Sequence, residues 1–208
     1  MTKIFDWKNE INENELNECI KIIKNGGIVI FPTDTVYGIG CNCFDDKAIN
    51  RIFEIKTREY KKPINVLCND IDDIKKLAKS LSEEEVNIIT NYMPGACTLI
   101  VNKNEKVSDL LTAKLDTVGV RIPDNKIART LIKRSKLPLA TTSANISGNK
   151  ALTDFDETLN EFKNKADVII DGGRSKIGVP STIVKYENEE LKILRQGSIY
   201  ITKKKAGC

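Results

Sequence analysis

The stretch Phe31-Pro32-Thr33-Asp34-Thr35-Val36-Tyr37-Gly38-Ile39-Gly40 constrains this chain more than any other. An apolar run, Ile28-Val29-Ile30-Phe31, leads into it and reads as a buried strand. Asp45 to Lys56 follows and reads as an amphipathic helix, with Ala48, Ile49, Ile52 and Phe53 on one face. A polar segment at the end of a strand is where α/β proteins place ligands. The segment is expected to be a loop, in which Gly38 and Gly40 let the backbone turn sharply and approach a ligand closely. Threonine hydroxyls both donate and accept hydrogen bonds, which suits a small polar substrate. The same hydroxyls would also serve a turn with helix caps.

The rest of the chain alternates helical and extended patterns without a strict βαβ rhythm. Leu16, Cys19, Ile20 and Ile23 keep helical spacing up to a stop at Gly26-Gly27. Residues 71–79 and 82–92 read as helices, the second opened by a capping box of Ser82 and Glu85. Two more helical faces come from Ile127, Ala128, Leu131 and Ile132, and from Phe155, Leu159 and Phe162. Strands are expected at 64–68, 97–101, 118–122, 137–141, 168–170, 181–186 and 191–195, while 107–115 fits neither period. These elements predict one α/β domain over 1–208, an open twisted mixed sheet flanked by helices. Gly172, Gly173 and Gly178 bracket a loop expected to be mobile, and Lys203-Lys204-Lys205 reads as a solvated tail.

Composition narrows the chemistry. The formal charge of +4 permits an anionic substrate without demanding nucleic acid. No apolar run approaches the roughly 18 residues of a membrane span, and Met1 to Asp6 lacks the build of a secretory signal, so a cytoplasmic protein is expected. The chain has no histidine, which excludes histidine-dependent triads and histidine metal sites. Its six cysteines include no CxxC pair. Cys19, Cys68 and Cys97 fall in apolar-periodic segments and are expected to be reduced core hydrophobes.

Three further clusters could carry chemistry. Lys56, Arg58 and Lys62 could neutralise a triphosphate, or form a solvated basic helix end favoured by the macrodipole. No GxxxxGK[ST] sequence occurs, so phosphates would be held by side chains and scattered amides. Thr141-Thr142-Ser143-Ala144-Asn145-Ile146-Ser147-Gly148 reads as a polar run after a strand, able to bind a nucleotide or to cap the next helix. Arg121 and Arg195 are lone cations at strand ends, each a surface residue or a clamp for an anion such as a carboxylate.

Taken together, Pro32 to Gly40, Lys56-Thr57-Arg58 with Lys62-Pro63-Ile64, Thr142 to Gly148, and Pro180-Ser181-Thr182-Ile183-Val184 resemble the YrdC-like threonylcarbamoyl-AMP synthases. The resemblance spans roughly residues 14–197 and is to the short, single-domain form. It implies a concave cavity in which L-threonine, bicarbonate or CO2, and ATP with Mg2+ give threonylcarbamoyl-AMP and pyrophosphate. The product would pass to the machinery that modifies adenosine in tRNA, and weak tRNA binding would be compatible. By motif, Thr35, Leu67, Arg121, Thr141 and Ser181 match threonine-binding positions; many relatives carry histidine where Leu67 stands. Arg58, Lys62, Thr117, Ser143 and Arg195 match ATP-contacting positions. Lys56, Arg58, Ser143 and Asn145 match the catalytic motif positions, with no dedicated metal ligand. The competing readings are an RNA-binding module of the same fold, and an accessory carbamoyl-transfer domain of a larger enzyme. No RNP-like aromatic motif supports the first, and no zinc-finger or acylphosphatase-like segment supports the second.

Overall fold

In the computed structural model, which describes residues 1–202, the chain builds one ten-stranded mixed sheet. The Lys203 to Lys205 tail lies outside the described residues. In chain order the elements are β1 (Lys3–Asp6), α1 (Glu13–Lys24), β2 (Val29–Pro32), β3 (Tyr37–Asn42), α2 (Asp46–Lys56), β4 (Asn65–Leu67), α3 (Ile71–Lys75), α4 (Glu83–Tyr92) and β5 (Cys97–Asn102). They continue with α5 (Asp109–Thr112), β6 (Thr117–Arg121), α6 (Lys126–Ser135), β7 (Leu139–Ser143), α7 (Phe155–Phe162), β8 (Val168–Asp171), β9 (Thr182–Glu187) and β10 (Glu190–Arg195). Across the sheet the strand order is β1-β8-β2-β3-β7-β4-β6-β5-β9-β10.

Both faces of the sheet are covered, which is why its central strands read as continuous apolar runs. Val29 and Phe31 of β2 point to a layer made by Leu16, Cys19 and Ile23 of α1 and by Ile127, Leu131 and Ile132 of α6. Ile28 and Ile30 point the other way, to Ile49, Ile52 and Phe53 of α2 and Phe162 of α7. Among the described residues the free cysteines are all buried, including Cys41 and Cys43. Burial pushes the Cys19 and Cys97 thiols up to about 12, so they pack as neutral hydrophobes. No helix among the described residues is long and apolar enough to cross a membrane.

Three expectations change, and one strand, β1, is added that the sequence pattern did not mark. The segment after Val36 is not a loop: Tyr37 to Asn42 forms β3, antiparallel to β2 with Phe31 opposite Gly38. The turn proper is confined to Thr33 to Val36. Nor do Gly38 and Gly40 supply a turn, since neither adopts positive φ. Both face Thr141 of β7, where an added Cβ would fall 2.9 Å from Thr141 Cγ2 at position 38 and 2.8 Å from Thr141 Oγ1 at position 40. The polar run at 141–143 likewise belongs to β7 itself, paired with β3. Finally, β1 carries no apolar run, because as a short edge strand paired only with β8 it buries little beyond Phe5.

Candidate active site

The polar residues singled out by sequence converge on one cavity of about 530 Å³. Its wall is made by the β2–β3 turn, the segment after α2, and inward-facing residues of β4, β5, β6, β7, β9 and β10. Thr35, Arg58, Lys62, Leu67, Thr117, Arg121, Thr141, Ser143, Ser181 and Arg195 all lie on this wall. Lys56 and Asn145 do not. The wall also carries Thr33 of the 31–40 stretch, together with Lys61, Asn65 and Thr98, which the sequence did not mark. Thr98 sits inside the apolar run of β5, so only the pairing of β5 with β9 reveals that it faces the site.

The β2–β3 turn is held by its own hydroxyls. Thr33 Oγ1 donates to the Val36 carbonyl at 2.7 Å and accepts from the Thr35 and Val36 N–H groups at 3.2 and 3.3 Å. It also lies 2.9 Å from Thr35 Oγ1. Such a hydroxyl-closed turn presents its side chains in a fixed orientation. The turn is anchored from behind, because Ile177 and Gly178 donate their N–H groups to the Asp34 and Thr35 carbonyls at 3.0 and 2.8 Å. Tyr37 adds a hydroxyl bond to the Gly173 carbonyl at 2.7 Å. The glycine-bracketed loop expected to be mobile is thus tied to the site floor at both ends.

Arg121 ends β6 and is only 6% exposed. It is not a lone surface cation. Its Nε donates to the Gly95 carbonyl at 2.9 Å, one terminal nitrogen to Thr35 Oγ1 at 3.0 Å, and the other to Asp34 Oδ1 at 2.5 Å. Burial pulls the guanidinium pKa down, and the Asp34 carboxylate opposes that pull. Each terminal nitrogen keeps a second N–H for a ligand. Nearby, Ser181 Oγ pairs with Thr98 Oγ1 at 2.8 Å, and Arg195 donates to the Ser181 carbonyl at 2.7 Å from one nitrogen and 3.2 Å from another.

The basic cluster divides in two. Arg58 lines the cavity and ties its own loop, donating to the Lys62 and Pro63 carbonyls at 3.1 and 2.8 Å. Lys56, at the end of α2, is 1% exposed and turned inward. Its ammonium donates to the Ser143 and Asn145 carbonyls, with Asn145 Oδ1 at 3.4 Å. Lys56 therefore does not face the cavity. It holds the backbone that leaves β7, and Thr57 in the left-handed region ends α2 so that the two basic side chains diverge. Ser143 Oγ donates to Asn145 Oδ1 at 2.6 Å, while Asn145 Nδ2 donates to the Ile146 and Asn149 carbonyls at 2.9 and 2.8 Å. Asn145 thus shapes the turn that presents Ser143.

The electrostatics favour a polyanion. Arg58, Lys61, Lys62, Arg121 and Arg195 line the cavity, and among the described residues its wall has no carboxylate. The hydroxyls of Thr35, Thr98, Thr141 and Ser181 form a polar floor beside apolar Leu67, which packs with Phe31 and Leu139. The site can therefore seat a small polar amine-carboxylate beside a phosphate chain.

Known proteins resemble this chain in both sequence and fold. The sequence model of the Sua5/YciO/YrdC family, described as "Telomere recombination", matches residues 21–197. A Methanocaldococcus jannaschii protein is 39% identical over 198 residues, covering 93% of each chain. The threonylcarbamoyl-AMP synthase of Pyrococcus abyssi is 38% identical over 199 residues, which are 96% of this chain but 58% of that one. The crystal structure of P. abyssi Sua5 complexed with L-threonine superposes with a TM-score of 0.91 at 38% identity, over 94% of this chain and 58% of that one.

Proposed function

This chain belongs to the Sua5/YciO/YrdC family, and from that premise we propose that its cavity makes threonylcarbamoyl-AMP and pyrophosphate from L-threonine, bicarbonate or CO2, and ATP. The observation that carries the reading is that one cavity brings the buried Arg121 and the hydroxyls of Thr35, Thr98, Thr141 and Ser181 together with the cations Arg58, Lys61, Lys62 and Arg195. Threonine occupies the floor. Its carboxylate takes the spare N–H groups of Arg121, and Thr35, Thr141 and Ser181 serve its polar groups against the apolar wall of Leu67. The ATP phosphates lie among Arg58, Lys62, Arg195 and the Ser143 hydroxyl, with Thr117 further along the wall. Magnesium enters with ATP, held by the phosphate oxygens, because the described wall offers cations and hydroxyls rather than carboxylates.

The residues then act by placement. The threonine amine attacks CO2 and loses a proton to give a carbamate. A carbamate oxygen attacks the α-phosphorus, and pyrophosphate departs with the electron pair of the broken P–O bond. No protein nucleophile is needed; the site must hold the reactants together and stabilise charge on the leaving phosphates. An RNA-binding role without synthesis would leave the hydroxyl floor and its buried arginine without a ligand. Downstream, the product would serve tRNA modification by other proteins. The test is mass analysis of products from the protein with ATP, magnesium, bicarbonate and threonine. Pyrophosphate release should require both threonine and bicarbonate, and equal ATP turnover without threonine refutes the reading.

A further inference from the structure

Asp34 is 6% exposed and stands between Thr33 and Thr35, both of which line the cavity. Its Oδ1 binds Arg121, while its Oδ2 is buried without a hydrogen-bond partner among the described residues. A buried carboxylate with an unmatched oxygen is costly, and it is the only ion-pair partner of Arg121 among the described residues. Arg195 adds a second positive charge close by. Without Asp34 the floor would be strongly cationic and would favour any carboxylate.

We propose that Asp34 is a positioning and specificity residue that makes the floor a receptor for a zwitterion rather than for a simple carboxylate. This rests on the reading that Arg121 holds the threonine carboxylate. Two effects combine. The bond from Arg121 to Asp34 Oδ1, with those to Gly95 and Thr35, fixes the plane of the guanidinium and so the direction of its free N–H groups. The carboxylate also neutralises the arginine, so an incoming carboxylate gains little net attraction unless an α-ammonium accompanies it. The unmatched Oδ2 keeps that negative charge undiminished by other donors. The backbone of Asp34 is held independently of its side-chain charge, because its carbonyl accepts from the Ile177 N–H.

The experiment is calorimetry on the full chain with L-threonine, with 3-hydroxybutyrate (a carboxylate lacking the amine), and with ATP. Wild type should bind threonine at least about tenfold more tightly than 3-hydroxybutyrate. Asp34→Asn keeps the shape and one acceptor but removes the charge. It should lose about tenfold or more in threonine affinity, hold or gain affinity for 3-hydroxybutyrate, and bind ATP within about twofold of wild type. Equal losses for both carboxylates would make Asp34 merely structural and overturn the proposal. If the variant does not fold, the wild-type comparison still decides: equal binding of both compounds overturns the proposal alone. Binding of neither overturns the threonine reading and the proposal with it.

Discussion

Lys56 shows how one residue can hold the cavity wall in place without facing the cavity. Burial pulls its ammonium down to about 7, Arg58 adds to that, and Glu161 opposes it. The unfolded chain binds a proton at this side chain up to about pH 10.4, whereas the folded chain releases it near 7. Between those values the unfolded state holds more protons, so the Lys56 contribution makes the fold more stable as pH rises through that window. Below about 7 both states are protonated and the full penalty of burying the ammonium is present. Lys56→Met has nothing to titrate and should lack this rise, which thermal denaturation at pH 6, 7.5 and 9 would read as a difference between the two proteins (roughly the window set by the lysine values). Matching pH dependence in both would show that Lys56 is not the titrating group. The same variant should lower turnover, since the carbonyls at 143 and 145 lose the donor that sets Ser143 in place.

At the scale of elements, the site depends on how closely β3 and β7 approach. Gly38 lies opposite Ser143 and Gly40 opposite Thr141 in that pair. A methyl group at 38 meets Thr141 Cγ2 at 2.9 Å, a side-chain atom that a serine lacks. Gly38→Ala should therefore destabilise the protein by about 1–3 kcal/mol. Thr141→Ser in the same chain should restore part of that loss, while each change alone is destabilising. Urea denaturation of the four proteins in a double-mutant cycle measures the coupling. Additive effects would mean that β7 shifts as a unit and the glycine is not there for Thr141. The β2–β3 turn follows the same logic, since its hydroxyl bonds and the loop behind it hold Asp34 and Thr35 in a single orientation.

Across the whole molecule, the sheet order brings chain segments far apart in sequence around one cavity. Arg121 reaches Thr35 across 86 positions, and Ser181 reaches Thr98 across 83. A ligand bridging these segments should tie together both halves of the sheet. Threonine at about a hundred times its dissociation constant stabilises the fold by about 2.7 kcal/mol if it binds only the native state. Threonine and ATP together should raise the melting temperature by more than either alone. A shift with ATP and none with threonine would place the amino acid elsewhere.

The sequence by itself determined most of the element types, the mixed sheet flanked by helices, and the motifs that mark the cavity wall. These are local matters: apolar period, turn residues, capping groups such as Ser82 with Glu85, and short motifs legible one segment at a time. Tertiary structure decided what each polar residue does. Gly38 reads as a turn residue until β7 is placed against it, and Tyr37 to Asn42 reads as a loop until two strands flank it. Lys56 and Arg58 stand two positions apart with like charge, yet one enters the core and the other the cavity. Asp34 stood in the marked stretch but its partner Arg121 was not legible, and Thr98 gave no signal, because Arg121 and Ser181 are distant from them in the chain. Such roles depend on long-range pairing and on the burial that comes with it, and these exist only once the sheet has closed around the site.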